Sequence, residues 1–282
     1  MSSTTAPSAK PGSLGAILGP LATFYHRRWL IRYLVQRQVF SNYRGSYLGF
    51  VWAFLSPLMM VILLTIVFSK MLGIRFREVA GDSSLNFGLY LYCGLLPFLA
   101  YQQGLTEGVT VIRRNSELVQ KVPLPLEILP LTTVLSSFVL NSFGLGALIL
   151  VYVVLEQQLH WTMLLLPLVM VLQLLFTLGL NYLMGVAGTY MPDIRETLRT
   201  IVRATFFITP IIWPAEKVPE RYRFLIDYNP LAILVKAYRN LILDGELPDV
   251  MAIIYFSLVA VALFAVGFVV FNRVKHNFAD LL

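Results

Sequence analysis

Residues 48–72 read LGFVWAFLSPLMMVILLTIVFSKML. Leu48 to Ser69 carries no charged side chain. About 20 apolar residues, at roughly 1.5 Å of helix each, cross the ~30 Å hydrocarbon core of a bilayer. Arg27, Arg28, Arg32, Arg37 and Arg44 stand just upstream, the bias that keeps a flank on the cytoplasmic side. The stretch predicts a polytopic membrane protein whose first span enters from the cytoplasm.

Composition agrees. The chain is 57% hydrophobic and 13% charged, with a mean hydropathy of +0.73, whereas an ordinary soluble domain is about 25% charged. The net charge of +7 lies between apolar runs instead of on one face of a polar fold, so it reads as positive-inside flanks and not as a nucleic-acid site. The single cysteine, Cys93, excludes an intrachain disulfide and a thiolate metal site. His26, His160 and His276 have no ligand spacing, and no metal is expected. Residues 1–20, rich in Ser, Thr, Pro and Gly, predict a disordered tail without the regions of a cleavable signal.

Further apolar runs cover Leu85 to Leu105, Ile128 to Leu155, Trp161 to Tyr190 and Met251 to Phe271. Between the last two, only Ala204 to Trp213 is free of charge, about 15 Å of helix or half a bilayer. Parity decides its status. Five crossings would leave Arg273 and Lys275 outside; a sixth at Leu198–Trp213 puts them inside, with Arg113, Arg114, Lys121, Arg195, Arg199 and Arg203. The outer loop with Lys70, Arg75 and Arg77 departs from the rule.

The half-length fifth span is followed by two helical pieces, Glu220–Asp227 and Pro230–Leu243. Asn229-Pro230 is a helix start, an Asn cap with Pro at the first helical position. Leu231, Leu234, Val235, Tyr238, Leu241 and Ile242 repeat at helical spacing, with Lys236, Arg239 and Asn240 elsewhere on the wheel. The pattern suggests a re-entrant or interfacial outer hairpin, which survives at membrane depth only when buried in protein or lining a wet cavity. An ordinary outer loop is the alternative. The fold class expected is an all-α integral membrane protein with six transmembrane helices and a re-entrant outer hairpin between spans five and six.

No ionisable residue lies near the middle of a long span, which argues against an ion- or proton-coupled carrier. No G-x-x-x-x-G-K-[ST] phosphate loop is present, so the chain does not hydrolyse a nucleotide by this route, and if it performs work the energy comes from a partner. Aromatic rings collect at the ends of the spans: Tyr47 and Trp52 at the first, Phe206, Phe207 and Trp213 at the fifth. Tyr and Trp belong at bilayer interfaces, yet aromatic faces also stack on sugar C–H faces and suit a channel in which a polymer slides. Asn141, Gln173 and Asn181 suit sugar hydroxyls or, more commonly, neighbouring helices.

Tyr43-Arg44-Gly45-Ser46-Tyr47-Leu48-Gly49-Phe50-Val51-Trp52, continuing to Pro57, resembles the first-span motif of permease subunits of type-2 ABC exporters for bacterial surface polysaccharides. Further matches follow in order: Gly94 to Phe98, Asn115 to Pro130, Asp193-Ile194-Arg195, Thr209 to Trp213, Val218-Pro219, Asn229-Pro230-Leu231 and Tyr238-Arg239. The similarity spans roughly residues 25 to 275. One departure is Met191-Pro192 before Asp193, where the family often has an arginine.

The resemblance implies an ATP-driven exporter of lipid-linked polysaccharide, of O-antigen or teichoic-acid type, in the bacterial cytoplasmic membrane with both termini inside. It implies a second copy of the chain as channel partner and a separate ATP-binding subunit that holds the ATP and magnesium; no cofactor is expected in this chain. Tyr47, Trp52, Phe206, Phe207 and Trp213 would line the channel. Arg113, Arg114, Asp193, Arg195 and Glu196 would meet the ATPase. Residues 21–44 would form a cytoplasmic interfacial helix against membrane lipids, with Arg28, Arg32 and Arg44 facing the substrate's phosphates. Asn229, Pro230, Tyr238 and Arg239 would build the outer hairpin. The six-span domain then covers residues 45–282. A type-2 exporter of a drug or small lipid, a passive channel or secondary carrier, and a scaffold for a glycan synthase remain as alternatives.

Overall fold

The computed structural model describes residues 24–71, 87–121, 124–191, 193–213, 215 and 218–281. The tail at 1–20, the outer loop at Arg75 and Arg77, and Val122-Pro123 lie outside them, as do Pro192, Pro214 and Glu216-Lys217. Among the described residues the chain is helical, with no strand. In order come α1 (Arg28–Ser41), α2 (Trp52–Leu64), α3 (Phe87–Gly108), α4 (Val111–Arg114), α5 (Ser116–Lys121), α6 (Ile128–Glu156), α7 (Leu166–Tyr190), α8 (Ile194–Ile208), α9 (Phe224–Asp227), α10 (Pro230–Arg239), α11 (Val250–Val274) and α12 (Phe278–Leu281).

Four described helices are long and apolar enough to cross a membrane, at Gly49–Val67, Ile128–Glu156, Trp161–Tyr190 and Val250–Asn277. The predicted second span is the 22-residue α3, roughly 33 Å long. It falls outside this group because Tyr90, Tyr92, Tyr101, Gln102 and Gln103 dilute its apolar run. It is also the most enclosed: Leu89, Tyr92, Cys93, Leu96, Phe98, Ala100 and Tyr101 are all buried. α3 packs on α2, α6, α7, α8 and α10. A polar helix of this kind belongs where protein, not lipid, surrounds it.

Glycines set the closest helix approaches. α7 and α11 form the most extensive pair, and Gly179 faces the backbone of Leu263 and Phe264 while Gly267 faces the carbonyl of Gly179. Gly104 and Gly108 of α3 receive Thr177 and Asn181 of α7, the small-x-x-x-small contact that membrane helices favour. At the basic end of the bundle Lys275 Nζ pairs with Glu127 Oε2 at 3.0 Å, and the Tyr182 hydroxyl donates to the Glu127 carbonyl at 3.0 Å.

Local chemistry decides several ends. The Asn229 side chain accepts from Leu231 N at 3.0 Å, so α10 starts at Asn229-Pro230 as predicted. Asp249 caps α11 by accepting from Met251 N at 2.9 Å. The predicted fifth span needs a correction. Its helix, α8, begins at Ile194 and stops at Ile208, and Thr209 is extended; Pro210 cannot continue the ladder. The 15 residues of α8 make about 22 Å of helix.

Candidate translocation site

The predicted residues fall in four groups, and the aromatic group divides between two places. The first is the end of α8. Phe206 packs on Phe98 of α3 with ring centroids 5.2 Å apart and meets Phe207 edge-on at 5.5 Å. Trp213 Nε1 donates to the Phe207 carbonyl at 3.1 Å. These three rings are brought together. Phe207 is 68% exposed, and so is most of α8, which buries only Leu198 and Val202.

Tyr47 and Trp52 sit elsewhere, at the start of α2, with Tyr47 fully exposed. α2 packs on α3 and α6, whereas α8 packs on α3 and α7. The two aromatic sets therefore stand on two different helices that both pack on α3. Nearby, Phe50 contacts Phe40, Tyr43 and Phe143 at 5.1, 5.9 and 5.1 Å, pinning α1 to the start of the first span and to α6. Burial raises the Tyr43 hydroxyl above its ordinary pKa.

The second group is basic. Arg28, Arg32 and Arg44 are exposed, and the Arg28 guanidinium lies 4.6 Å from the Tyr25 ring centre. Tyr25, Trp29 and Tyr33 are exposed beside them, a mixed aromatic and cationic surface suited to a lipid interface. Along α1, Gln38 Nε2 donates to Glu107 Oε2 at 2.7 Å, and Glu107 lies 4.0 Å from Arg114. Arg37, Arg114, Asn115, Glu117, Leu118 and Lys121 line a cleft of about 340 Å³ between α1 and α5.

The third group lies at the α7–α8 turn. Asp193, Arg195 and Glu196 are exposed, and Glu196 pairs with Arg199 at 2.7 Å on the surface. Arg113 reaches this turn from α4: its Nη2 donates to the Thr189 carbonyl at 2.8 Å, close to the end of α7. The α4 segment is thus joined to the last turn of α7 by a cation on a helix-end carbonyl.

The outer hairpin differs from its sequence reading in one respect. α10 is buried nearly all round, and only Lys236 is exposed. Arg239, read as a polar-face residue, is 7% exposed. Its Nη1 and Nη2 donate to the carbonyls of Pro210 and Ile211 at 2.7 and 2.8 Å. Its Nε donates to the Tyr90 carbonyl at 3.4 Å, and its guanidinium lies 3.5 Å from the centre of the Tyr90 ring.

Residues 30–243 match the family described as ABC-2 type transporter. The chain belongs to the ABC-2 type transporter family. The matched stretch runs from within α1 to just past α10 and holds the predicted site residues except Arg28. Among similar proteins, the O-antigen export system permease protein RfbA of Myxococcus xanthus is 26% identical over 91% of this chain and 96% of its own length. The protein of the same name from Klebsiella pneumoniae is 24% identical over 90% of this chain and 95% of its length. The polysialic acid transport protein KpsM of Escherichia coli is 20% identical over 85% and 91%.

In this ABC-2 chain the polar span residues act between helices. Gln173 is fully buried; its Nε2 donates to the Pro97 carbonyl at 2.8 Å and its Oε1 accepts from the Tyr238 hydroxyl at 2.8 Å. One side chain of α7 thus joins α3 to α10. Asn181 donates to the Gly104 carbonyl, and Asn141 to the Ser137 carbonyl and to Gln103 Oε1. The Gln173 relay escapes sequence reading in its partners, although a lone glutamine in an apolar run signals one. Gln173→Leu strands the Tyr238 hydroxyl, removes the side-chain bond to the Pro97 carbonyl and is expected to destabilise the purified protein by about 2 kcal/mol, against about 1 kcal/mol for Tyr238→Phe. Melting temperatures in detergent check the order.

Proposed function

We propose that the chain is the transmembrane subunit of an ATP-driven exporter that carries a lipid-linked polysaccharide across the bacterial cytoplasmic membrane. The observation that carries this reading is similarity along nine-tenths of the chain to O-antigen export permeases within an ABC-2 family match. Two copies form the path, and a separate ATP-binding chain supplies the work, consistent with a sequence that lacks a phosphate loop. The chain crosses six times with both ends in the cytoplasm: α3 serves as the enclosed second span and α8 as the short fifth, closed outside by the hairpin of α9 and α10. α2 and α8, the spans with the least protomer burial, are the faces offered to the second copy. Asp193, Arg195, Glu196, Arg113 and Arg114 meet the ATPase, and Arg28, Arg32 and Arg44 meet the substrate's phosphates.

A strain lacking the gene is expected to accumulate lipid-linked glycan on the inner leaflet and to lose the surface polymer. A deletion strain with unchanged glycan and raised drug sensitivity would instead assign the chain to small-molecule export. The rings offer a finer test. A stacking contact contributes on the order of 1 kcal/mol, enough to guide a sliding glycan without trapping it. Trp52→Ala and Phe207→Ala are each expected to slow glycan export several-fold, with unchanged dimer and ATPase association in pull-downs. Unchanged export in both would return these rings to the lipid interface.

A further inference from the structure

We infer that Arg239 is a positioning residue that staples the end of the fifth span to α3, so that the outer hairpin and α3 form one rigid body through the transport cycle. The inference rests on the export reading and adds which parts of the path stay still.

The physical problem is the end of α8. Its helix stops at Ile208 and the chain turns through Thr209, Pro210 and Ile211, all buried. Carbonyls beyond a helix end have no intrahelical donor, and in an apolar surrounding each must be satisfied. The planar guanidinium reaches two consecutive carbonyls, Pro210 and Ile211, with short charge-assisted hydrogen bonds. Its third donor and its flat face engage the carbonyl and ring of Tyr90 on α3. Gly94, one turn further along α3, makes room: a Cβ there would lie 2.6 Å from Nη2. The same α10 is held to α3 a second time, through Tyr238, Gln173 and Pro97.

A desolvated cation with these bonds cannot leave its seat without exposing a charge and two carbonyls to an apolar interior, so the seat stays closed while substrate passes. Motion falls to the spans that the chain itself buries least, α2 and the body of α8. Lysine does not substitute. It is a point charge that lacks both the fork and the flat face.

The native Cys93 reports on the seat. It is fully buried, adjoins Gly94, and is the only cysteine in the chain. The complex with its ATPase, in proteoliposomes, is exposed to N-ethylmaleimide with and without ATP and magnesium, and adduct at Cys93 is read by mass spectrometry beside glycan export. Wild-type Cys93 is expected to stay unmodified in both conditions. Arg239→Lys and Gly94→Ala are expected to raise labelling and lower export by about tenfold or more, the factor that loss of a charge-assisted hydrogen bond carries. Labelling of wild-type Cys93 during ATP turnover overturns the rigid seat. So does either loss of export with Cys93 still silent in both variants, or wild-type export in both. Should neither variant accumulate, the wild-type labelling decides alone. A wild-type complex that turns over ATP and exports no glycan overturns the export reading and leaves the labelling result standing.

Discussion

Gly267→Val is expected to abolish accumulation of the folded protein. Gly267 of α11 faces the carbonyl of Gly179, and Gly179 of α7 faces the backbone of Leu263 and Phe264. Each glycine meets main chain, which cannot rotate aside as a flexible side chain can. A branched side chain must push apart the most extensive helix pair in the bundle, and close packing between membrane helices has no hydrophobic term in reserve to offset the gap. Overpacking of a well-filled core costs about 1–3 kcal/mol when side chains can yield; against backbone the cost should exceed about 3 kcal/mol. Gly146→Ala is the control: nothing lies within 4 Å of a Cβ there, and helix propensity favours alanine by up to about 1 kcal/mol. Fluorescence-detected size exclusion of the two variants is the measurement. A monodisperse Gly267→Val protein at wild-type yield would remove this crossing from the core.

Arg195→Glu is expected to cost about a hundredfold in glycan-stimulated ATP turnover while leaving insertion intact. The side chain lies exposed in the first turn of α8 between Asp193 and Glu196, where it supports no contact within the protomer's core. Under the proposed function this surface is covered by the ATPase, and reversing a charge inside a desolvated interface removes an attraction and adds a repulsion, together several kcal/mol. Turnover of the purified complex, with co-purification of the ATPase as the occupancy check, reads the effect. Asp193→Ala should fall between it and wild type. If the reversed variant turns over ATP and exports like wild type, the contact lies on α4 and α5 instead.

The long apolar helices were legible in the sequence because length and apolarity alone decide them, and the Asn229-Pro230 start because a cap is local chemistry. The limits of α8 were not. Arg195, Glu196, Arg199 and Arg203 interrupt its apolar count, so the helix begins earlier than hydropathy admits, while an apolar count carried to Trp213 runs through Pro210, the local breaker that ends the helix. Arg239 escaped for a different reason. A helical wheel assigns an arginine to the wet side, and the carbonyls that bring it inside lie 28 and 29 residues upstream in a segment without periodicity. The candidate channel rings were legible as residues but not as a group: Phe206, Phe207 and Trp213 meet, whereas Tyr47 and Trp52 stand on another helix. Gln173 could be read as interhelical, since an amide in an apolar run needs partners, yet nothing local names Pro97 and Tyr238 as those partners.

The thin burial of α2 bears on the order of biogenesis. Of Trp52–Leu64 only Ala53 and Val61 are buried, and the neighbours that cover them, α3 and α6, are translated later. The first span therefore enters the bilayer by hydropathy, and of its contacts only those of Phe40 and Tyr43 with Phe50, at its very start, join it to chain already made. Its azimuth is assigned in full only when Gly88 closes on Thr65 and α6 arrives. A nascent chain halted before residue 87 would hold an inserted helix oriented only by the rings at its first turn.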